Sequence, residues 1–272
     1  MKSNTVTVCQ NDRLIYVTFP KLEQCGAVRH IFSTKCGGVS SGQFGEMNLS
    51  FHNGDTRENV LKNYEILCGA VGINPAHLVL TRQTHTANIK TVTKDDCGIG
   101  YSRPDFSDID GLITADRGVA LVTQFADCTP VLLCDPKNRV IANVHAGWRG
   151  TVQNIGGLAV ERMVREFGCR RENLIAAIGP CIGPCCYEVD DPVYEAFLPL
   201  GIPMDTIMTP NANGRYQLDL RAANRLLLQN AGVSPERMDI ADLCTCCHAD
   251  QLHSHRATAG KRGNLAAIIE LI

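Results

Sequence analysis

The chain has 272 residues, of which 44% are hydrophobic and 20% charged, and its formal net charge is -2. These are ordinary globular values, so disordered and fibrous classes are excluded, and a chain of this length buries a substantial core. Without a basic field, generic binding to nucleic acid or anionic membranes is excluded too.

In chain order, "MKSNTVTVCQNDRLIY" lacks the apolar segment of a signal peptide. No apolar stretch approaches the ~18 residues of a membrane span. The expectation is a cytoplasmic protein with no membrane partner. "TVTVCQNDRLIYVTF" predicts a hairpin with Asn11-Asp12 in the turn. Residues 56–71 predict a helix with Val60, Leu61, Tyr64, Leu67 and Cys68 on one face. Asp55 is its expected N-cap, with Glu58 completing a capping box, and Gly72 and Pro75 stop it. "HLVLTRQTH" predicts a strand ending in His85, and residues 111–148 hold several more, with Asp135-Pro136-Lys137-Asn138 as a turn. Residues 151–167 return to helical spacing and end at Gly168. "LIAAIGPCIGPCCYEV" predicts a strand followed by Gly/Pro turns, and residues 219–231 a helix capped by Asp219 and closed by Gly232.

Hairpins mixed with single helices do not give the regular alternation of a doubly wound sheet. The expected fold class is α+β, with mixed sheets packed face to face and helices outside. No repeat or linker interrupts the chain, so residues 1–272 are read as one domain. The 14 cysteines would form a disulfide framework in a small secreted protein, but a large aliphatic chain without a leader is expected to keep them reduced. Cys9, Cys25, Cys36, Cys68, Cys97, Cys134 and Cys169 are scattered singly and read as small buried hydrophobes.

Three side chains share one pattern. His85 ends "LVLTRQTH", Cys128 follows "VTQFADC" and His145 ends "VIANVH". If these strands neighbour one another, two imidazoles and a thiolate converge at a sheet edge. That set suits Zn²⁺, and three protein ligands leave a fourth position open, as in catalytic sites. The gaps of 43 and 17 residues form no finger motif, and a lone strand-end histidine is more often a hydrogen-bonded structural residue. Two histidines and a cysteine are also a blue-copper set. Equally, Cys128 can be a nucleophile with His145 or His85 as its base.

The surrounding words carry a resemblance. "NLSFHNGD", "TRQTHTANI", "DGLIT", "ADCTPVLL", "NVHAGWRG", "IGPCIGPCCYEV" and "CTCCH" occur in this order over nearly the whole chain. Together they resemble the YfiH family, also called the laccase-domain or polyphenol-oxidase-like family. The resemblance implies a four-layer α/β/β/α fold and a catalytic Zn²⁺ on His85, Cys128 and His145. It also implies phosphorolysis of adenosine and related purine nucleosides, with inorganic phosphate as co-substrate, and adenosine deamination. The older alternative is a copper-dependent phenol oxidase; against it, the chain has eight histidines and a single His-x-His pair, His253-Ser254-His255.

Arg149 is the expected phosphate or oxyanion clamp, because a guanidinium matches phosphate geometry. Gly147 and Gly150 would let the backbone approach a ligand, and Trp148 is a candidate to stack on a purine. Asn48 and His52 are expected to face the substrate. Asp127 is expected to orient a ligand from behind. Near the C-terminus the family usually reads Phe-Phe-Ser-Tyr-Arg-Arg, whereas this chain has "LHSHRA". Ser254 and Arg256 stay in register as candidate substrate-binding residues, while His253 and His255 replace aromatics. Cys244, Cys246, Cys247, His248, His253 and His255 could form a second metal site but read better as a coincidence of burial. Cys181, Cys185 and Cys186 read as packing residues in a Pro/Gly turn.

Overall fold

The computed structural model describes residues 1–272. Two six-stranded mixed sheets pack face to face. In the first, the strands run in the order Thr7–Asn11, Leu14–Thr18, Val28–Ser33, Leu265–Leu271, Ala120–Phe125, Leu78–Val79. In the second the order is Met238–Ile240, Ile175–Ile178, Thr129–Asp135, Val140–Ala146, Gly111–Thr114, Ile89–Thr91. Most neighbours are antiparallel. The exceptions are Leu78–Val79 on Ala120–Phe125, Ile175–Ile178 on Met238–Ile240, and Ile89–Thr91 on Gly111–Thr114.

The central strands are apolar at successive positions because both of their faces are covered. Leu132 and Cys134 point into the core between the sheets, whereas Val131 and Leu133 face the helix Ile155–Phe167. In the first sheet Leu265, Ala267 and Ile269 point inward, while Ala266 and Ile268 meet Val60, Tyr64 and Leu67 of the helix Arg57–Val71. Each fully buried aliphatic side chain contributes roughly 1.5–3 kcal/mol. Helix, sheet, sheet and helix thus form four layers, as expected. A smaller lobe stands beside the second sheet. It comprises three short strands, the helices Asp191–Phe197 and Leu220–Asn230, and its own apolar cluster around Phe197 and Leu218. No helix is long and apolar enough to cross a membrane.

Several local details differ from expectation. The first hairpin turns at Asp12-Arg13, with Asp12 left-handed at φ 53°, and pairs Asn11 with Leu14. Thr56, not Asp55, caps the helix Arg57–Val71 by accepting from the Asn59 N–H. Asp55 instead accepts from the Thr56 N–H and from the Ser40, Asn48 and Asn59 side chains. The helix expected at 151–167 is two helices, Trp148–Val152 and Ile155–Phe167. Asn154 at φ 55° breaks the run, and its side chain accepts from Gly157 N–H to start the second helix. "HLVLTRQTH" splits into Leu78–Val79 and Thr81–Arg82, so His85 lies beyond the strand, in a loop.

Candidate metal centre

His145 sits in the strand Val140–Ala146 and is 4% exposed. Cys128 lies in the tight turn joining Ala120–Phe125 to Thr129–Asp135, and thus connects the two sheets. His85 sits at φ 66° in the loop after Thr81–Arg82. Their donor atoms all lie within 4.8 Å of one another, with His85 Nε2 at 3.7 Å from Cys128 Sγ. The two imidazole rings are 5.1 Å apart, at 66° to each other.

One carboxylate organises this trio. Asp110, fully buried just before the strand Gly111–Thr114, pairs with His145 Nδ1 at 2.8 Å. It also accepts from the backbone N–H groups of Thr84, His85 and Thr86 and from the Thr86 hydroxyl. These bonds hold His85 in a left-handed conformation that a non-glycine residue adopts only at a cost. The Asp110 contact puts the His145 proton on Nδ1 and leaves Nε2 free to ligate, as carboxylates behind metal-binding histidines do.

The electrostatics fit a cation. Burial alone would raise the Asp110 carboxyl, but His145 and the Thr86 donors overcome it and hold it down to about 2. Burial likewise pushes the Cys128 thiol up, and the two imidazoles pull it down to about 6. His145 is driven up despite its burial, by Cys128 and Asp110. Cys128 and His145 thus each favour the other's charged form, a thiolate beside a positive charge, which is the state of the thiol that a metal cation requires. Close approach matters too: a Cβ on Gly147 would lie 2.9 Å from Cys128 Sγ and 3.0 Å from His85 Cδ2. Only glycine leaves that space.

Above the trio opens a cavity of about 500 Å³. Arg82, Arg149, Arg256 and Arg262 line it, with Trp148 and Tyr187 supplying aromatic surface and Asp127 the one carboxylate. That carboxylate is already engaged by the Thr245 hydroxyl at 2.6 Å and the Arg256 N–H at 2.7 Å. The cavity is thus cationic and suits an anion. The Arg149 guanidinium lies 4.2 Å from the Trp148 ring. Arg256 bridges the Cys186 and Glu188 carbonyls and stacks over Tyr187.

Of the residues singled out in the sequence, His85, Cys128, His145, Arg149, His52 and Arg256 all border this cavity. His52 stands at the rim, paired with Asp105 at 2.9 Å. Asn48 and Ser254 do not border it. Asn48 is fully buried, bonding Ser50, Asn53 and Asp55 and accepting from the Asn264 N–H. Ser254 is also buried and caps the short helix His255–Thr258. Asp127, at φ 89°, braces the turn that carries Cys128, while Asp110 orients the two histidines. Sequence reasoning passed over Asp110, Arg82, Arg262 and Tyr187. A signal existed only for Asp110, an acid placed directly before the apolar "GLIT".

The family model described as "Multi-copper polyphenol oxidoreductase laccase" matches residues 29–272. The purine nucleoside phosphorylase YlmD of Geobacillus stearothermophilus is 37% identical over 249 residues, covering 90% of each chain. An adenosine deaminase, RL5, from an unknown prokaryotic organism is 33% identical over 83% of this chain and 87% of its own. The crystal structure of the Bacillus licheniformis hypothetical protein YfiH superposes with a TM-score of 0.92 at 31% identity, over 97% of this chain and 99% of that one. The chain belongs to the multi-copper polyphenol oxidoreductase laccase family, the laccase-domain family that its motifs resemble.

Proposed function

We propose that the protein is a zinc enzyme of purine nucleosides that cleaves adenosine with inorganic phosphate and also deaminates it with water. The observation that carries this reading is the joining of a two-histidine, one-cysteine trio to a cavity lined by four arginines. A phenol oxidase has no use for such a cationic lining, whereas a phosphate substrate does. The names of relatives, purine nucleoside phosphorylase and adenosine deaminase, support the same substrate class.

His85, Cys128 and His145 would hold the ion beside the cavity that all three border, and three protein ligands are the number catalytic zinc sites use. When bound, zinc supplies Lewis acidity and the activation of water at neutral pH. The chain's own residues do the rest. Asp110 keeps both histidines oriented, and Trp148 and Tyr187 offer faces for the base. Arg149 and its neighbours hold phosphate beside the ribose. In phosphorolysis the bond from the base to the anomeric carbon breaks and a phosphate oxygen bonds that carbon. The proton of hydrogen phosphate ends on the released adenine, and ribose 1-phosphate is the second product. In deamination, water and adenosine give inosine and ammonia.

A second reading has one observation behind it: Asp110, His145 and Cys128 form an acid–imidazole–thiol chain of the kind that activates a nucleophile. It gives His85 no role, although His85 is held in a costly conformation against the sulfur.

The test is product analysis of adenosine incubated with zinc-loaded or copper-loaded protein, with and without phosphate. Adenine and ribose 1-phosphate should appear with the zinc form only when phosphate is present, and inosine without it. Adenosine left intact by the zinc form, with phenol oxidation by the copper form, would overturn the proposal.

A further inference from the structure

A second cluster lies behind the cavity wall. The sulfurs of Cys185, Cys186, Cys244 and Cys247 all fall within 4.8 Å of one another. Cys247 Sγ is 3.4 Å from Cys185 Sγ and 3.5 Å from Cys186 Sγ. Four sulfurs placed ~2.3 Å from a common zinc ion form a tetrahedron with edges of about 3.8 Å. The observed spacing therefore needs only small side-chain rotations to accept an ion. The two arms are a Cys-Cys pair in the 181–187 turn and a Cys-x-x-Cys in the 244–247 turn, held side by side by backbone β-pairing of Cys181 with Cys244, both free thiols.

The backbone is prepared for thiolates. Cys244 is buried, which by itself would raise its thiol. The N–H groups of Cys247, Gly183 and Cys246 outweigh burial and lower it, with the Gly183 N–H at 3.2 Å from the sulfur. Peptide N–H groups turned onto a Cys-x-x-Cys sulfur stabilise its anion. Cys185 and Cys186 are pushed up, by burial first and then by the neighbouring thiols. The tail histidines are outside the group: His248 Nδ1 bonds the Cys244 carbonyl, and His253 is buried against the Met47 carbonyl.

We propose that Cys185, Cys186, Cys244 and Cys247 form a second, closed metal site that takes a thiophilic divalent cation, zinc, with a structural role. On binding, each thiol that ligates releases its proton to solvent, and no redox change occurs. Four protein ligands leave no open position, so the site does no chemistry. It staples the two turns that back the cavity. Cys185 and Cys186 precede Tyr187, and Arg256 grips the Cys186 carbonyl. Cys244 precedes Thr245, whose hydroxyl braces Asp127 beside Cys128.

The test is zinc content of full-length protein purified under reducing conditions, measured for wild type, Cys128→Ala and Cys247→Ser. Cys128→Ala removes the trio's thiol and should keep one zinc per chain, with its cobalt form retaining strong sulfur-to-metal charge-transfer absorption. Cys247→Ser should lose that ion and most of that absorption. Because Cys247→Ser can fail to fold, native alkylation of the wild type gives an independent readout. The exposed Cys185 and Cys247 should resist iodoacetamide until a chelator is added. Metal-free Cys128→Ala, free alkylation of Cys185 and Cys247 without chelator, or a Cys185–Cys247 disulfide in that preparation would each overturn the site. None of these outcomes bears on the trio's own activity.

Discussion

Asp110 does more at this site than any residue outside the trio, since one carboxylate fixes His145 and the whole backbone turn of His85. Asp110→Asn keeps the shape but gives up the charge and one acceptor. Loss of such a supporting carboxylate costs 10–100-fold in metal affinity. We expect that loss at the trio in chelator competition, and unchanged affinity would reduce Asp110 to a loop-shaping role. Arg149 makes the complementary case. Its guanidinium can hold two phosphate oxygens, which an ammonium cannot reproduce. Arg149→Lys should therefore depress phosphorolysis at least tenfold, about 1.4 kcal/mol in the barrier, and deamination far less. Equal loss of both activities would make Arg149 a structural part of the turn. At this scale the sequence was legible where residue type marks a side chain out, as for His85, Cys128, His145 and Arg149, which the fold brings to one cavity. It was illegible where role depends on burial. Asn48 and Ser254 are polar residues in suggestive words, but both spend their hydrogen bonds inside the wall.

Among the elements, the strands were legible through apolar runs, and the misses have physical causes. The C-terminal strand Leu265–Leu271 lies at the centre of the first sheet, yet "LAAIIEL" shows no alternation because both of its faces are buried. No expectation covered it. "HLVLTRQTH" reads as one strand, but the N–H groups of residues 84–86 donate to the Asp110 carboxylate and leave extended geometry. The strand Val28–Ser33, paired with Leu265–Leu271, carries His30, which sets a pH limit on the fold. Its Nε2 accepts the Phe19 N–H at 2.8 Å, so the folded protein needs it neutral, and burial lowers it to about 4. A histidine in the unfolded chain titrates near 6.5. The contribution is therefore fully present above that pH and is lost as pH falls toward about 4. Between pH 7 and 5 the loss amounts to about 2 kcal/mol. Urea unfolding at the two pH values should show it, and His30→Gln should reduce the dependence, leaving the share of His253, which burial also lowers to about 4. A wild type equally stable at both would contradict the assignment.

Across the whole molecule, the site depends on the sandwich rather than on any one motif. His145 comes from the second sheet, Cys128 from the turn that crosses between sheets, and His85 from a loop held by Asp110. The face-to-face sheets and outer helices were legible in hairpin, strand and helix patterns. The four-layer order came from family resemblance, because strand pairing across 265–271 and 120–125 joins segments far apart in sequence. The central claim is that the trio is the centre of nucleoside chemistry. The most direct measurement is turnover of adenosine in the presence of phosphate by Cys128→Ala, compared with wild type and checked for fold by circular dichroism. The variant should fold while its adenine and ribose 1-phosphate production drops to background. A folded Cys128→Ala that still cleaves adenosine at the wild-type rate would contradict the claim.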